Sequence, residues 1–307
     1  MKCTVVICTH NRVNLLMRTI RFLNIAKRPE RAAIKILVVA NACTDDTTIA
    51  LKNYIIRQVD NSEKLALDFE EEPIPGKSHA LNRAINLVSE GFLVFVDDDH
   101  RVDSHFFSAI KSAINQYSST GIFCGKIIPD WTGAEPSWIH EKGKYKIYPL
   151  PIPQYDLGNQ QIQLGLGKKL PGGGNLIVHR NIFDKVGNFS VSLGPKGHNL
   201  SGSEDSDFIL RAIKEVKNIQ YIPSIIQYHF VDVDRLKLFY LIKKSFQRTR
   251  TLARIKDSGQ ETIPHYLWRK LLEYIVMAFF SFNPQRRRFY LMRIASTSGE
   301  ITGIRER

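Results

Sequence analysis

Phe92-Leu93-Val94-Phe95-Val96-Asp97-Asp98-Asp99-His100 is the stretch on which the reading of the fold turns. Five apolar residues read as a strand buried on both faces, and three carboxylates follow at its carboxyl end. On its amino-terminal side, strand-like and helix-like segments alternate: a strand over 3–8, a helix from about Asn14, a strand over 34–39, a helix over 45–56, a weaker strand over 65–69 and a helix over 78–89. A helix from Ser104 and a strand over 122–127 follow. This order predicts an α/β fold with a mainly parallel central sheet covered by helices. In such sheets the ligand crevice lies at the carboxyl ends of the strands, where Asp97, Asp98 and Asp99 fall.

Composition narrows the classes. With 307 residues, 43% hydrophobic and 24% charged, the chain has ample material for a core and is neither disordered nor collagen-like. Four cysteines without a C-x-x-C pair, three of them in or beside apolar runs, read as free thiols in a reducing compartment. The start, Met1-Lys2-Cys3-Thr4, runs straight into the first strand with no signal-peptide pattern, so a cytoplasmic location is expected. The longest mostly apolar run, 271–282, is about 18 Å long as a helix, too short for about 30 Å of hydrocarbon.

The formal charge of +13 is local. Residues 231–307 carry 16 Lys+Arg against 7 Asp+Glu, and residues 1–230 carry 27 against 23. A basic, helical tail suits an anionic partner, or is simply a solvated face. In it, Lys237, Lys243, Lys244, Arg248 and Arg250 alternate with Leu236, Phe239, Leu241, Ile242 and Phe246, which predicts one basic and one buried face. The run 271–282 followed by Arg286-Arg287-Arg288 resembles an interfacial anchor, so peripheral contact with the inner face of a membrane is weighed against ordinary packing. Residues 129–170, rich in Pro, Gly and aromatics, read as a long irregular loop. Trp131, Trp138, Tyr145, Tyr148 and Tyr155 in it suit a sugar-binding cleft or plain packing.

Three adjacent aspartates repel one another, and a hard cation such as Mg²⁺ or Mn²⁺ would neutralise them; a solvated acidic turn is the plain alternative. A P-loop reading of Gly76-Lys77-Ser78 fails because Glu71 stands where the motif needs glycine.

The motifs, in order, are 5–12 (Val-Val-Ile-Cys-Thr-His-Asn-Arg), 38–47 (Val-Val-Ala-Asn-Ala-Cys-Thr-Asp-Asp-Thr), Gly76-Lys77-Ser78-His79-Ala80-Leu81-Asn82, Asp97-Asp98-Asp99, Gly172-Gly173-Gly174-Asn175, Gly202-Ser203-Glu204-Asp205 and Tyr228-His229-Phe230. Together they resemble an inverting glycosyltransferase of family 2 with a GT-A nucleotide-sugar-binding fold, over roughly residues 3–256. The resemblance implies a catalytic domain over 1–230, with a nucleotide-binding half at about 1–100 and an acceptor half at about 101–230, followed by a basic helical region over 231–307. It implies Thr9, Asn11, Arg12, Asn41, Lys77, Asp97 and Asp98 around the nucleotide, and Asp99 and His229 on a divalent metal, Mn²⁺ or Mg²⁺. Gly173, Gly174, Asn175 and Trp138 are implied at the sugar or acceptor. Asp205 is implied as general base, with Glu204 as the other candidate. Ala40 departs from the family's usual Asp, which removes one base or ribose contact.

The activity so implied is transfer from a nucleotide-diphosphate sugar, UDP-linked by preference, to a polysaccharide, glycan or lipid-linked acceptor, with no nucleic acid as partner. Two rivals stand beside it. A sugar-1-phosphate nucleotidyltransferase should open with a Gly-rich basic loop, and Thr9-His10-Asn11-Arg12 has no glycine. A catalytically inactive GT-A-like protein would instead bind nucleic acid or lipid through its basic tail.

Overall fold

The computed structural model describes residues 1–58, 64–148, 150, 152–193, 204–216, 218–255 and 262–306. Gly202-Ser203, Pro149, Pro151 and Asp257-Ser258-Gly259 lie outside the described residues. The chain forms two compact units, one from Met1–Asp130 with Pro153–Phe230, the other from Trp131–Ile152 with Val231–Arg307.

The first unit is a layered α/β structure. Its strands are β1 (Lys2–Thr9), β2 (Ala33–Asn41), β3 (Ala66–Glu72), β4 (Phe92–Phe95), β5 (His100–Val102), β6 (Ile122–Asp130), β7 (Ile162–Leu164), β8 (Leu176–His179) and β9 (Ile219–Phe230). Its helices are α1 (Val13–Ile25), α2 (Thr47–Gln58), α3 (Lys77–Leu87), α4 (Phe106–Gln116), α5 (Arg180–Val186) and α6 (Glu204–Val216). The strands form one sheet in the order β3-β2-β1-β4-β8-β6-β9-β5, with β7 also paired to β9.

The expected α/β fold with a mainly parallel sheet is what the chain adopts: β1, β2, β3, β4, β6 and β9 run one way. Strands β5, β7 and β8 run against them. Alternation along β1 explains the two-sided core. Val6 packs with Leu81, Ile85 and Phe208 on one face, and Val5 and Ile7 pack with Leu16, Ile20 and Phe107 on the other. No polar face is left on these strands, which is why they read as continuous apolar runs.

Direction decides what reaches the crevice. Parallel strands β1, β2, β4 and β9 deliver their carboxyl ends to one edge, bringing Thr9, Asn41, Asp97 and His229 there. Reversed strands contribute their beginnings, so His100 at the start of β5 and Gly173-Gly174-Asn175 just before β8 arrive at the same edge. The stretch 129–170 is less irregular than expected, since β6 runs on to Asp130 and β7 forms within it. Tyr155 is buried there, bridged to Ile127.

The second unit holds α7 (Leu238–Ile255), α8 (His265–Phe279) and α9 (Pro284–Arg305). Ala295, Gly299 and Gly303 recur every four residues on α9. A side chain on Gly299 would collide with the Phe246 carbonyl and one on Gly303 with the Arg250 carbonyl, so α7 and α9 meet backbone to backbone. Thr249 Oγ1 donates across this contact to Ser296 O at 2.7 Å. Phe239, expected on the buried face of α7, stands exposed. Of the three consecutive arginines, Arg288 is taken up by Glu141 at 2.6 Å and by the face of Trp138, Arg286 lies over Tyr145 and Tyr290, and Arg287 is exposed. Among the described residues, no helix is long and apolar enough to cross a membrane.

Candidate active site

The aspartates after β4 do not continue as an extended chain. His100 N donates to Asp97 O at 3.0 Å, closing a turn, and Thr19 Oγ1 holds it from beneath, within hydrogen-bond distance of Asp98 O (2.9 Å) and His100 O (2.6 Å). The turn sends neighbouring carboxylates in different directions. Asp98 is buried, accepting from Thr9 Oγ1 at 2.7 Å and from Arg12 at 3.1 Å. Asp97 and Asp99 both face His100 Nε2, at 3.9 and 3.8 Å.

Part of the mutual repulsion is relieved by the protein's own cations. Lys77 Nζ donates to Asp97 at 2.9 Å, and Arg12 donates to both Asp98 and Asp99 at 3.1 Å. Burial opposes ionisation of Asp97, but Lys77 and His100 outweigh it and hold this carboxyl well below the usual range. Burial pushes Asp98 up to about 6, with Asp99 adding to the rise and Arg12 opposing it. Two side-chain cations against three carboxylates leave one negative charge uncompensated beside two imidazoles.

Those imidazoles come together through strand pairing. His100 and His229 are cross-strand partners in β5 and β9, with ring centroids 5.2 Å apart, and His229 Nε2 lies 3.6 Å from Asp99 Oδ2. Burial, joined by His100 and against the pull of Asp99, holds His229 below the ordinary imidazole range, so it is neutral at pH 7. Asp99, His100 and His229 place one ligand atom each within 4.8 Å of one another. His100 Nε2 is fully buried and makes no hydrogen bond. A carboxylate and two imidazoles, one of them with its Nε2 buried and without a hydrogen bond, fit a divalent cation.

The orientation of the His100 ring has a traceable cause. Asn175 Nδ2 donates to Lys126 O at 2.8 Å and Ile225 O at 3.2 Å, which fixes its amide so that Oδ1 accepts from Gln227 Nε2 at 3.0 Å. Gln227 Nε2 also donates to Phe95 O at 3.0 Å, so its Oε1 must accept, and the partner at 2.7 Å is His100 Nδ1. Carbonyl groups of the sheet thus dictate that His100 carries its proton on Nδ1.

A second cluster forms where α6 meets the glycine turn before β8. Gly173 N donates to Asp205 Oδ2 at 2.7 Å, while Asp205 Oδ1 is buried without a hydrogen-bond partner. A side chain on Gly173 would overlap the Asp205 carboxylate, and one on Gly174 would overlap Asp97. Neither glycine has left-handed backbone; both are required by space. Lys77 is held well above its usual range, burial notwithstanding, by Asp97, then Asp205 and, more weakly, Glu204. Glu204 is buried in the first turn of α6.

Several residues expected on ligand are engaged inside the protein instead. Thr9 spends its hydroxyl on Asp98, and Arg12 is paired with Asp98 and Asp99 rather than held free for base or phosphate. Asn11, at φ 53°, accepts from the Thr44 and Asp45 amides at 2.7 and 3.2 Å and so staples the loops after β1 and β2. The Asn41 amide, expected as an acceptor for a base, takes the Gly76 N–H at 2.8 Å and donates to Glu72 O and Ile74 O. It is buried because the β3–α3 loop wraps over it. Asn175, expected at the sugar, is the buried bridge just described. Trp138 belongs to the second unit, beneath the Arg288 guanidinium.

His100 as a partner of Asp99, and Gln227 as its support, were not assigned from sequence. The signal available was the pair Gln227 and His229, two polar residues at spacing two directly after the apolar Ile225-Ile226. What the sequence lacks is any local mark for the three-residue strand β5.

Comparison with known proteins agrees with this architecture. A family model described as Glycosyl transferase family 2 matches residues 4–187, more than half the chain, and the chain belongs to that family. It is a glycosyltransferase. The match is shorter than the span 3–256 expected from the motifs, and Glu204, Asp205 and His229 lie beyond it. No curated protein matches the chain. In three dimensions it is similar to the crystal structure of S. aureus TarS 1–349 (TM-score 0.55, 16% identity, covering 100% of this chain and 90% of that one). It is similar in the same degree to TarS 1–349 in complex with UDP-GlcNAc (0.55, 16%, 100% and 91%). A third similar structure is the mannosyltransferase PcManGT from Pyrobaculum calidifontis in complex with GDP-Man and Mn²⁺ (0.55, 16%, 98% and 85%). At this identity the likeness is one of fold, the GT-A type.

Proposed function

We propose that this glycosyltransferase moves a sugar, with inversion, from a UDP-linked donor to a hydroxyl of a polysaccharide, glycan or lipid-linked acceptor. The observation that carries the reading is the meeting of Asp97 and Asp205 on consecutive glycines of one turn. A donor seated over Asp97 would thereby present its sugar to Asp205. The first half of the catalytic domain, residues 1–100, holds the nucleotide, and residues 101–230 hold the acceptor side. Residues 231–307 form a separate helical region.

Asp205 is the general base rather than Glu204. Its Oδ2 is anchored on the Gly173 amide, which leaves Oδ1 to take the proton from the acceptor hydroxyl while that oxygen attacks the anomeric carbon. The bond to the nucleoside diphosphate breaks on the opposite side, so one displacement suffices and no second carboxylate is needed. Asp99, His100 and His229 would hold a divalent cation, and the two imidazoles would favour Mn²⁺ over Mg²⁺, which prefers an all-oxygen shell. When bound, the cation neutralises charge growing on the departing diphosphate. Lys77 keeps Asp97 ionised as an acceptor for a ribose hydroxyl. The solved structures in complex with UDP-GlcNAc and with GDP-Man and Mn²⁺ lend support to a nucleotide-diphosphate sugar as donor.

Calorimetric titration of UDP in the presence of Mn²⁺, together with a transfer or donor-hydrolysis assay, tests the reading. Asp99→Ala abolishes UDP binding with Mn²⁺. Asp205→Asn keeps donor binding and loses transfer by about 10²–10⁴-fold, the usual worth of a general base. Transfer retained in Asp205→Asn removes that residue from the mechanism.

A further inference from the structure

Helix α8 carries two apolar stripes. Leu267, Leu271, Tyr274 and Ala278 form one; Leu267 and Ala278 are buried, and Tyr274 packs its ring on Tyr290 of α9 at 6.1 Å. The other runs Trp268, Leu272, Ile275, Phe279, spaced four, three and four residues apart, with Val276 beside it. These are the positions of a second helical face, and every one of them is exposed. The chain then leaves the helix through Phe280 and Phe282. Phe279 is 81% exposed and Phe282 98%, large aromatic surfaces that cost free energy in water.

Charge brackets the stripe. Exposed Arg269 stands beside it on α8, one turn from exposed Glu273, exposed Arg287 lies just past Phe282, and the Arg305 guanidinium sits over Trp268 at 5.3 Å. The region 231–307, with 16 Lys+Arg against 7 Asp+Glu, adds a positive field. A second copy of this chain would bring like charge onto like, whereas an anionic lipid surface complements it. A helix of 15 residues is about 22 Å long, too short to cross a bilayer but suited to lie in its surface with the aromatic end in the headgroup layer.

We infer that the outward face of α8, with Phe280 and Phe282, is a docking surface for an anionic lipid bilayer, on which the protein rests peripherally. It lies wholly in the second unit and owes nothing to the assignment of Asp205 or of the cation site.

Flotation of the full chain with vesicles decides the matter. The wild type is expected to float with vesicles of phosphatidylcholine mixed with phosphatidylglycerol, and much less with phosphatidylcholine alone. The triple variant Phe279→Ser, Phe280→Ser, Phe282→Ser loses binding to the mixed vesicles at least tenfold, at an unchanged melting temperature because these side chains pack on little. Arg269→Gln with Arg287→Gln, both exposed, erases the preference for the anionic vesicles and carries the test if the triple variant unfolds. The inference is overturned if the wild type stays off phosphatidylglycerol vesicles or if the triple variant floats as well as the wild type. It is equally overturned if sedimentation reveals a dimer that the triple variant dissolves while neither protein binds vesicles.

Discussion

His100 Nδ1 and Gln227 Oε1 stand 2.7 Å apart, and the direction of that hydrogen bond is imposed from the far side of Gln227 by the Phe95 carbonyl. The tautomer of an imidazole in the proposed cation site is thus set by a glutamine buried in the sheet. Gln227→Leu frees Nδ1 and lets the proton move to Nε2. Support of this kind is worth about 10–100-fold in metal affinity, and the loss should appear in Mn²⁺ binding followed by electron paramagnetic resonance. The variant also leaves the Asn175 Oδ1 unsatisfied, a cost of about 1–3 kcal/mol in denaturant unfolding. Unchanged Mn²⁺ affinity would show that His100 is not a ligand.

Gly173→Ala and Gly174→Ala separate the two halves of the chemistry. A methyl at Gly173 displaces Asp205, so transfer falls while UDP binding holds; a methyl at Gly174 displaces Asp97, so UDP binding falls first. Binding and rate measured on both variants, with circular dichroism to confirm the fold, check the order. Identical profiles would mean that the turn acts as one structural piece.

Asn41→Ala removes three hydrogen bonds that hold the loop from β3 to α3, including the one to Gly76 N directly before Lys77. We expect a loss of about 1–3 kcal/mol in stability and a weaker nucleotide complex, because Lys77 loses its placement. Loss of affinity without loss of stability would instead place the Asn41 amide on the base.

Burial lifts the thiols of Cys3, Cys8 and Cys124 to about 12, above their ordinary value. A folded-state value raised in this way favours the native state at low pH, and the benefit drains away as pH rises from about 9 toward 12, where the unfolded chain sheds thiol protons first. The melting temperature should therefore fall between pH 8 and pH 10, less steeply in Cys124→Ala. At pH 8, iodoacetamide should leave Cys3 and Cys124 unmodified until the protein is denatured.

What could be read from sequence follows the range of the interactions. Strands β1, β2 and β4 announce themselves because both faces are buried along runs such as Val5-Val6-Ile7, Ile36-Leu37-Val38-Val39 and Leu93-Val94-Phe95, which are wholly apolar. Asp97, Asp99 and Asp205 could be named because short motifs carry them. The inward turn of Asn41, Asn175 and Thr9 could not, since an amide or hydroxyl looks the same whether it meets a ligand or a carbonyl across the sheet. His100 escaped for the same reason, as its role depends on β9, more than a hundred residues away. The exposed stripe of α8 was visible as an apolar run, but its division into two faces required knowing where α9 lies.

Among the described residues β5 pairs only with β9, and this has a consequence for synthesis from the ribosome. Strands β1 to β4 can assemble early, but one imidazole has no seat and the other does not yet exist until the chain has emerged past Phe230. If Asp99, His100 and His229 hold a cation as proposed, a fragment ending before Ile219 would keep the cradle of Asn41 and Lys77 yet have no grip on the ion, and the nascent enzyme would stay silent until β9 is laid.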